Sequence, residues 1–244
     1  MRNWKLVLEY DGTDFAGWQV QPAKRTVQGV LQEGIRQVIG EEVELHAAGR
    51  TDAGVHAEGQ VASFRTSSRL GPENILRGVN SLTPPAVSIL SIEEAGSDFD
   101  ASRSAKGKVY RYDVRMGLSA PALDRDRCHW IRWKIDLAAM REAARRFVGR
   151  HDFRAFQGAD SPRKTTVREM FLCDMDVCGP RVSIRVGASG FLYKMARNIA
   201  GTLLEVGRGR RPAGSIPDLL AGLDRRRAGA TAPAKGLYLE RVIY

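Results

Sequence analysis

The stretch that decides the fold lies at residues 49–57 and has the sequence GRTDAGVHA. Alternating apolar runs at 43–47 and 60–65 flank it, so it is predicted to be a loop between two strands. Its two glycines permit φ > 0 or a close backbone approach, which lets a sharply bent loop hold Asp52 in a fixed place. Arg50 is near enough in sequence to meet the Asp52 carboxylate and favour its ionised form. A fixed, ionised carboxylate suits a nucleophile better than a general acid.

Two other interpretations of this loop stand beside the catalytic one. An Asp in a glycine-rich loop is often only a turn former, bonded to nearby backbone N–H groups. A metal site is the other interpretation, since His46 and His56 flank the loop. Their spacing matches none of the zinc patterns, and His129 and His151 are distant in sequence, so no metal is expected.

Length and composition indicate a chain with room for a sizeable core. Its 244 residues allow one large domain or two of about 100 to 140 residues each. No apolar run approaches the roughly 20 residues of a membrane span, and the N-terminus enters a strand pattern directly, so a cytoplasmic protein is expected. Cys128, Cys173 and Cys178 are odd in number and form no CxxC pair, which argues against a disulfide framework.

The net charge of +10 is divided unevenly along the chain. Residues 1–104 contain 10 Lys and Arg against 14 Asp and Glu, a net charge of −4. Residues 105–244 contain 28 against 14, a net charge of +14. A basic half predicts a polyanionic partner that lies mainly across that half. Charge alone leaves a second interpretation open, in which the surface is simply rich in arginine.

Hydrophobic periodicity predicts the same order of elements in both halves. In the first half we expect strand 4–10, a helix capped by Thr26 and ended by Gly40, strands 42–48 and 60–65, a helix from Pro72, and strand 87–92. In the second half we expect strand 108–115, a helix capped by Asp136, strands 167–177 and 181–186, a long helix ending near Val206, a short helix at 215–223 and a strand at 237–243.

The predicted fold class is therefore α/β (α+β), with two ferredoxin-like βαββαβ domains. We expect their antiparallel sheets to join into one extended platform flanked by helices. Polar residues 96–106 have the composition of a linker. The predicted domains are 1–104, which carries the Asp52 loop, and 105–244, a basic RNA-binding domain that completes the active site.

Several motifs in the same order carry a family resemblance. Beside GRTDAGVHA, they are YDGTDFAGWQ at 10–19, KVYRY at 108–112, FLYKMARNI at 191–199 and APAKGLYL at 232–239. With these motifs the chain resembles the tRNA pseudouridine synthase A family over almost its whole length.

The resemblance implies an enzyme that isomerises uridine to pseudouridine at positions 38, 39 and 40 of the tRNA anticodon stem-loop. It implies a homodimer with RNA crossing both subunits, and no cofactor. The target uridine is expected to be flipped out of its stack. Whether the carboxylate attacks C1′, attacks C6 or removes a ribose proton stays open.

By the same resemblance, Asp52 is the nucleophile and Arg197 a further catalytic residue, and Arg50 is counted with them because of its place near Asp52 in the loop. Arg197 would pair with Asp52 and keep it ionised, although a long arginine on an apolar helix face also commonly snorkels to solvent. Tyr110 would stack on the target base and Leu237 would line the uracil pocket. The strand pattern alone favours an ordinary core aromatic at Tyr110, and Tyr112 shares its face.

Contacts with the RNA backbone are expected from arginines of the second half, although any one cluster is also typical of a solvated face. The candidates are Arg208, Arg210, Arg211, Arg225, Arg226 and Arg227, together with Arg145, Arg146, Arg163 and Lys164. The chain departs from the family pattern at Ser102, Arg103, Lys194 and Ala196, which leaves the details of RNA contact open.

Two other functions are weighed against the synthase. A non-catalytic RNA-binding protein on the same platform would be indicated by the loss of Asp52, Tyr110 or Arg197, and all three are present. A nucleoside-cleaving hydrolase would need a second acid at a set distance, and none stands out near Asp52.

Overall fold

The chain divides into two units in a computed structural model that describes residues 1–159 and 165–244. By backbone proximity, one unit comprises Met1–Lys106 with Tyr238–Tyr244, and the other comprises Gly107–Leu237. The sequence places the closing segment with the second half, whereas in the structure the last residues contact the first unit. The division of roles between an Asp52 domain and an RNA-binding domain stays a prediction.

The first unit has the predicted βαββαβ order, to which the end of the chain adds a strand. Its elements are β1 (Arg2–Tyr10), α1 (Val27–Ile39), β2 (His46–Ala47), β3 (His56–Thr66), α2 (Pro72–Leu82), β4 (Val87–Ala95) and, from Tyr238 onward, β10 (Leu237–Ile243). β1 lies between β4 and β3 and is antiparallel to both. β2 pairs antiparallel with β3, and β10 runs parallel to β3.

Local sequence accounts for the bounds of α1. Thr26 is extended and accepts a hydrogen bond from the backbone N–H of Gly29, the usual N-cap arrangement. Gly40 ends the helix with φ of 79°, a left-handed conformation that glycine adopts without steric cost. α1 packs on α2 through glycines, because Gly34 lies against Val79 and Gly78 against Val38.

The strand predicted at 42–48 shortens to the two residues of β2, and side chains of α1 explain the difference. The Gln28 amide donates to the Leu45 carbonyl at 3.1 Å, and the Gln32 amide to the Val43 carbonyl at 2.8 Å. These carbonyls are thus satisfied by a helix instead of a neighbouring strand. The apolar alternation persists, since Val43 and Leu45 are both buried.

The second unit is also mixed α/β, with additions to the predicted order. Its elements are β5 (Gly107–Met116), β6 (His129–Ile131), α3 (Leu137–Arg145), β7 (Gly149–Asp152), β8 (Val167–Cys178), β9 (Arg181–Ala188), α4 (Met195–Gly207) and α5 (Ile216–Gly222). The antiparallel order is β5-β9-β8-β7, and β6 runs parallel to β5. The predicted fold class is confirmed, whereas β6 and β7 were not predicted because each is too short to show a period.

The fold positions functional segments at strand ends and at one helix. The Asp52 loop follows β2 and leads into β3, while Tyr110 lies within β5. Arg197 lies in the first turn of α4. Within the described parts of the chain, no helix is long and apolar enough to cross a membrane.

The Thr26 cap yields a first prediction. Thr26→Ala removes the hydroxyl that accepts from the Gly29 N–H at the start of α1, so the free energy of unfolding should fall by about 1 kcal/mol. Urea unfolding followed by circular dichroism measures it. Thr26→Ser keeps the hydroxyl and is the matched control; equal losses in the two variants would show that the cap contributes nothing.

Candidate active site

The backbone of the Asp52 loop is held by the long loop that follows β1. The N–H of Trp18 donates to the Thr51 carbonyl at 3.0 Å. Gly17 has φ of +95°, and a Cβ there would lie 2.7 Å from the same carbonyl oxygen, so this approach requires glycine. The residue before Asp52 is therefore fixed by direct backbone contact.

A tight turn closes the other side of the loop. The N–H of Val55 donates to the Asp52 carbonyl at 3.1 Å, and Gly54 between them has φ of 75°. For both glycines a positive φ or a close backbone approach was expected, and Gly54 has the positive φ. Gly49 lies outside the left-handed region, and its carbonyl accepts from the Gln60 amide at 2.7 Å.

Buried polar side chains of β1 and β3 support the loop from below. The Tyr10 hydroxyl and the Thr51 hydroxyl form a hydrogen bond of 2.8 Å. Burial raises the pKa of Tyr10 to about 12, so its hydroxyl stays protonated at neutral pH. Gln60 is fully buried beside it. Such groups are costly unless hydrogen-bonded, which makes the loop position strongly determined.

His56, at the start of β3, serves this support as well. Its ring is buried and its Nδ1 accepts a hydrogen bond from the Gly12 N–H at 3.1 Å. The ring stacks on Tyr238 of β10 with centroids 4.7 Å apart. His56 thus joins the first loop, β3 and β10 within the first unit.

Asp52 itself is partly exposed, while Arg50 is exposed. The local pair between Arg50 and Asp52 stays a prediction, which the short spacing of the loop allows.

The two candidate tyrosines of the second unit are both buried and have different neighbours. The Tyr112 hydroxyl donates to the Pro233 carbonyl at 3.0 Å, and burial raises the pKa of Tyr112 well above its usual value. Tyr112 is therefore engaged in the fold. Tyr110 instead packs edge-on against Phe191, with ring centroids 4.8 Å apart. Phe191 precedes α4, so an aromatic pair lies at the start of that helix.

Arg197 is half-buried and is held by the segment that precedes β10. Its Nε donates to the Ala232 carbonyl at 2.8 Å, and the Ala232 N–H donates to the Arg197 carbonyl at 3.2 Å. A bond at Nε fixes the plane of the guanidinium, which a snorkelling arginine would not need. Leu237, at the end of the same segment, is buried.

Tyr110, Arg197 and Leu237 thus belong to the second unit, and Arg50 and Asp52 to the first. Among the departures from the family pattern, Lys194 caps α4 with a left-handed backbone, φ 57°, and Ala196 is buried behind it. Ser102 and Arg103 donate their backbone N–H groups to the Asp100 carboxylate.

The candidate RNA-binding arginines fall into two groups. Two are held by neighbouring groups: Arg211 by Glu205 and the Arg227 carbonyl, and Arg225 by several loop acceptors. The exposed ones are Arg208, Arg210, Arg226 and Arg227, of which Arg226 pairs with Asp224 at the surface.

Among the exposed arginines, Arg208 stacks on an aromatic ring: its guanidinium lies 4.3 Å from the ring centroid of Trp133. Of the further candidates, Arg146 pairs with Glu142, Arg145 is exposed, and Arg163 and Lys164 lie outside the described residues.

Sequence reasoning missed several residues that hold the site in place. Gly17 and Gln60 fix the Asp52 loop, and Asn198, fully buried in α4, bonds to two neighbouring loops. Asn198 had a usable signal, because a polar residue within the apolar face of a helix must find hydrogen-bond partners. The other two form contacts between segments distant in sequence, which no local pattern indicates.

A partly exposed carboxylate on a rigid loop, together with a strongly basic second half, is typical of an enzyme that acts on nucleic acid. Comparison with known proteins specifies the class. The model of the tRNA pseudouridine synthase family matches residues 6–102 and 143–244. The chain belongs to this family, whose members isomerise uridine to pseudouridine in tRNA.

Relatives named tRNA pseudouridine synthase A match over the full chain. The Caldicellulosiruptor bescii protein is 43% identical over 244 residues, covering 100% of both chains. The Myxococcus xanthus protein is 46% identical over 246 residues, covering 100% of this chain and 92% of its own. A solved archaeal box H/ACA sRNP Nop10–Cbf5 complex aligns at 15% identity with a TM-score of 0.38, covering 82% of this chain and 44% of that one. The last likeness is too distant to support an inference.

The contact at Gly17 yields a second prediction. Gly17→Ala must displace the Thr51 carbonyl and strain the backbone, so the free energy of unfolding should fall by about 1–3 kcal/mol. Pseudouridine formation should fall with it, because Asp52 adjoins the displaced residue. Both are measured on the purified variant, by urea unfolding and by nucleoside analysis.

Gly214→Ala is the matched control, since a Cβ there would meet nothing within 4 Å. Wild-type stability and activity in Gly17→Ala would show that the close approach does not position the loop.

Proposed function

We propose that this chain converts uridine to pseudouridine in the tRNA anticodon stem-loop, at positions 38, 39 and 40, with Asp52 as the nucleophile. Membership of the synthase family supports the reaction class. The observation that carries the assignment of Asp52 is its setting: a partly exposed carboxylate next to Thr51, whose carbonyl and hydroxyl are both hydrogen-bonded. Fixing the reacting group in advance lowers the entropic part of the barrier.

The reaction needs little beyond such a carboxylate and a pocket. The bond from N1 of uracil to the ribose C1′ breaks, the base turns, and C5 bonds to the same C1′. A proton leaves C5 and N1 gains one, so atoms and charge balance without an oxidant. Attack of Asp52 at C1′, attack at C6 and initial removal of a ribose proton all remain compatible with a fixed carboxylate.

The second unit supplies the remaining proposed groups. Tyr110 would offer its ring to the detached uracil, an arrangement supported by its place beside Phe191. Tyr112 is a poorer candidate because it is more deeply buried, with 1% of its surface exposed against 7% for Tyr110. Arg197 would provide a positive charge that keeps Asp52 ionised, and Leu237 an apolar wall. The pairing of Arg197 with Asp52, and the catalytic role of Arg50, stay predictions.

The proposed RNA-binding surface is centred on exposed arginines near the end of α4. Arg208 stacks on Trp133. Arg210 and Lys134, which are close to these two residues in sequence, are exposed. Arginine and aromatic faces together suit a backbone and base surface such as a tRNA arm. A homodimer that shares one tRNA, and a place in the cytoplasm, belong to this proposal as well.

The third prediction concerns Asp52. Asp52→Asn keeps the side-chain size but removes the nucleophile, so pseudouridine formation should fall by on the order of 10³-fold or more. Binding of tRNA should remain near wild type, since one loop carboxylate adds little attraction to a polyanion. The assay is nucleoside analysis of unmodified tRNA transcripts, with positions mapped, beside a filter-binding Kd.

Asp14→Asn, at an exposed position of the first loop, is the matched control. Full activity in Asp52→Asn would remove the nucleophile assignment. Tight tRNA binding by a wild-type protein that forms no pseudouridine would instead support the non-catalytic alternative.

The fourth prediction concerns the proposed RNA-binding surface. Replacing Arg208 and Arg210 together with Gln should weaken tRNA binding and reduce the slope of log Kd against log salt by roughly 1 to 2. Arg69→Gln with Arg77→Gln makes the same change of charge on the first unit and should leave the slope unaltered. An unchanged slope in the Arg208 and Arg210 variant would place the RNA elsewhere.

A further inference from the structure

The segment 224–233 is pressed against α4 more closely than a loop usually lies on a helix. A Cβ on Gly201 of α4 would lie 1.8 Å from the Ala230 carbonyl oxygen, so only glycine permits this approach. The N–H of Gly229 donates to the Thr202 hydroxyl at 2.9 Å, and the N–H of Ala230 to the Glu205 carboxylate at 3.0 Å. The backbone of the segment is thus fixed by side chains of the helix.

Arg225 completes this arrangement from the side of the segment. One terminal nitrogen donates to the Gly229 carbonyl at 2.9 Å. The other donates to the Asn198 side-chain oxygen at 2.9 Å and to the Thr231 hydroxyl at 3.1 Å. The planar fork of a guanidinium suits three such acceptors, whereas a lysine would supply a single point charge.

Asn198 connects α4 to the segment 224–233. It is fully buried, and both the oxygen and the nitrogen of its amide form hydrogen bonds. Its oxygen also accepts from the Thr231 hydroxyl at 2.6 Å, and its nitrogen donates to the Phe156 carbonyl at 2.7 Å. A buried amide is costly to leave unsatisfied, so Arg225 and Thr231 are strongly held to it.

This network ends directly at Arg197. Asn198 follows Arg197 in the helix, and Thr231 precedes Ala232, whose carbonyl accepts from Arg197 Nε at 2.8 Å. Loss of the Arg225 bonds would leave Thr231 with one partner fewer and loosen the adjacent Ala232 carbonyl, which fixes the plane of the Arg197 guanidinium. The next residue, Pro233, carries the carbonyl that binds the Tyr112 hydroxyl, so the same segment also reaches β5.

We infer that Arg225 is a positioning residue for Arg197 and not a phosphate ligand, in contrast to the exposed Arg227 beside it. This role rests on the proposed function, in which the Arg197 charge acts in the reaction. It separates three consecutive arginines that sequence analysis treats as one RNA-binding cluster.

The test compares Arg225→Ala with Arg226→Ala and Arg227→Ala on the full chain. Single-turnover rates at saturating enzyme report the reaction, a filter-binding Kd reports the affinity for tRNA, and a melting temperature reports folding. Arg225→Ala should lower the single-turnover rate by about 10²-fold, as expected for a misplaced catalytic group. Its Kd should stay within about twofold of wild type, as for a group that contacts no phosphate.

A chemical rescue separates positioning from general stability. Millimolar methylguanidinium should restore part of the rate of Arg225→Ala by occupying the vacated site, and leave Arg226→Ala unaffected. Thr231→Val is the milder second variant, since it removes one acceptor at constant size and should lower the rate in the same direction without a change of Kd.

Three results would overturn the inference. One is a higher Kd for tRNA in Arg225→Ala with a wild-type rate at saturation, which would make Arg225 a phosphate ligand. Another is a rate loss that only follows a lowered melting temperature and shows no rescue. The third is a wild-type single-turnover rate in both single variants, Thr231→Val and Arg225→Ala. An inactive wild type would instead refute the proposed function itself.

Discussion

Thr51 is hydrogen-bonded through both its carbonyl and its hydroxyl, and the placement of Asp52 depends on this pair of bonds. The carbonyl is taken by Trp18 and the hydroxyl by Tyr10. Both partners are themselves buried, so neither can move without exposing apolar surface or losing a bond. The adjacent carboxylate can therefore be partly exposed and still be well placed. Partial exposure is what the proposed nucleophile needs to meet a substrate, and the fixed neighbour gives rigidity.

The second unit follows the same design with a helix in place of a loop. Arg197 is half-buried and adjoins Asn198, a fully buried polar residue whose amide oxygen and nitrogen are both hydrogen-bonded. In each unit the side chain proposed to act is next in sequence to a residue that the fold has fixed. A flexible long side chain such as arginine loses rotamer entropy when it is ordered, and bonds already made at Nε reduce what remains to be lost when substrate binds.

Sequence predicted those parts of the fold that local chemistry decides. The cap at Thr26, the glycine at 40 and the alternation along β1 are read from neighbouring residues, and each has the expected consequence. It failed where distant groups compete for the backbone. Gln28 and Gln32 take carbonyls that would otherwise pair in a strand, and the end of the chain joins β3 by a long-range parallel pairing. The site follows the same division: the Asp52 loop was found by its own glycines, whereas its support by Gly17 and Gln60 is non-local.

Net charge shows the same limit most clearly. The second half carries +14, yet many of its arginines are bound by acids of the same unit. Asp124 alone holds both Arg115 and Arg181, and Asp113 holds Arg111. Such paired groups still contribute to a long-range field, but their hydrogen-bonding capacity is partly used and they are costly to recruit as phosphate ligands. The number of phosphates that an RNA surface can neutralise is set by outward groups such as Arg208 and Arg210. A composition therefore predicts the sign of the partner's charge, and the structure is needed to say which arginines meet it.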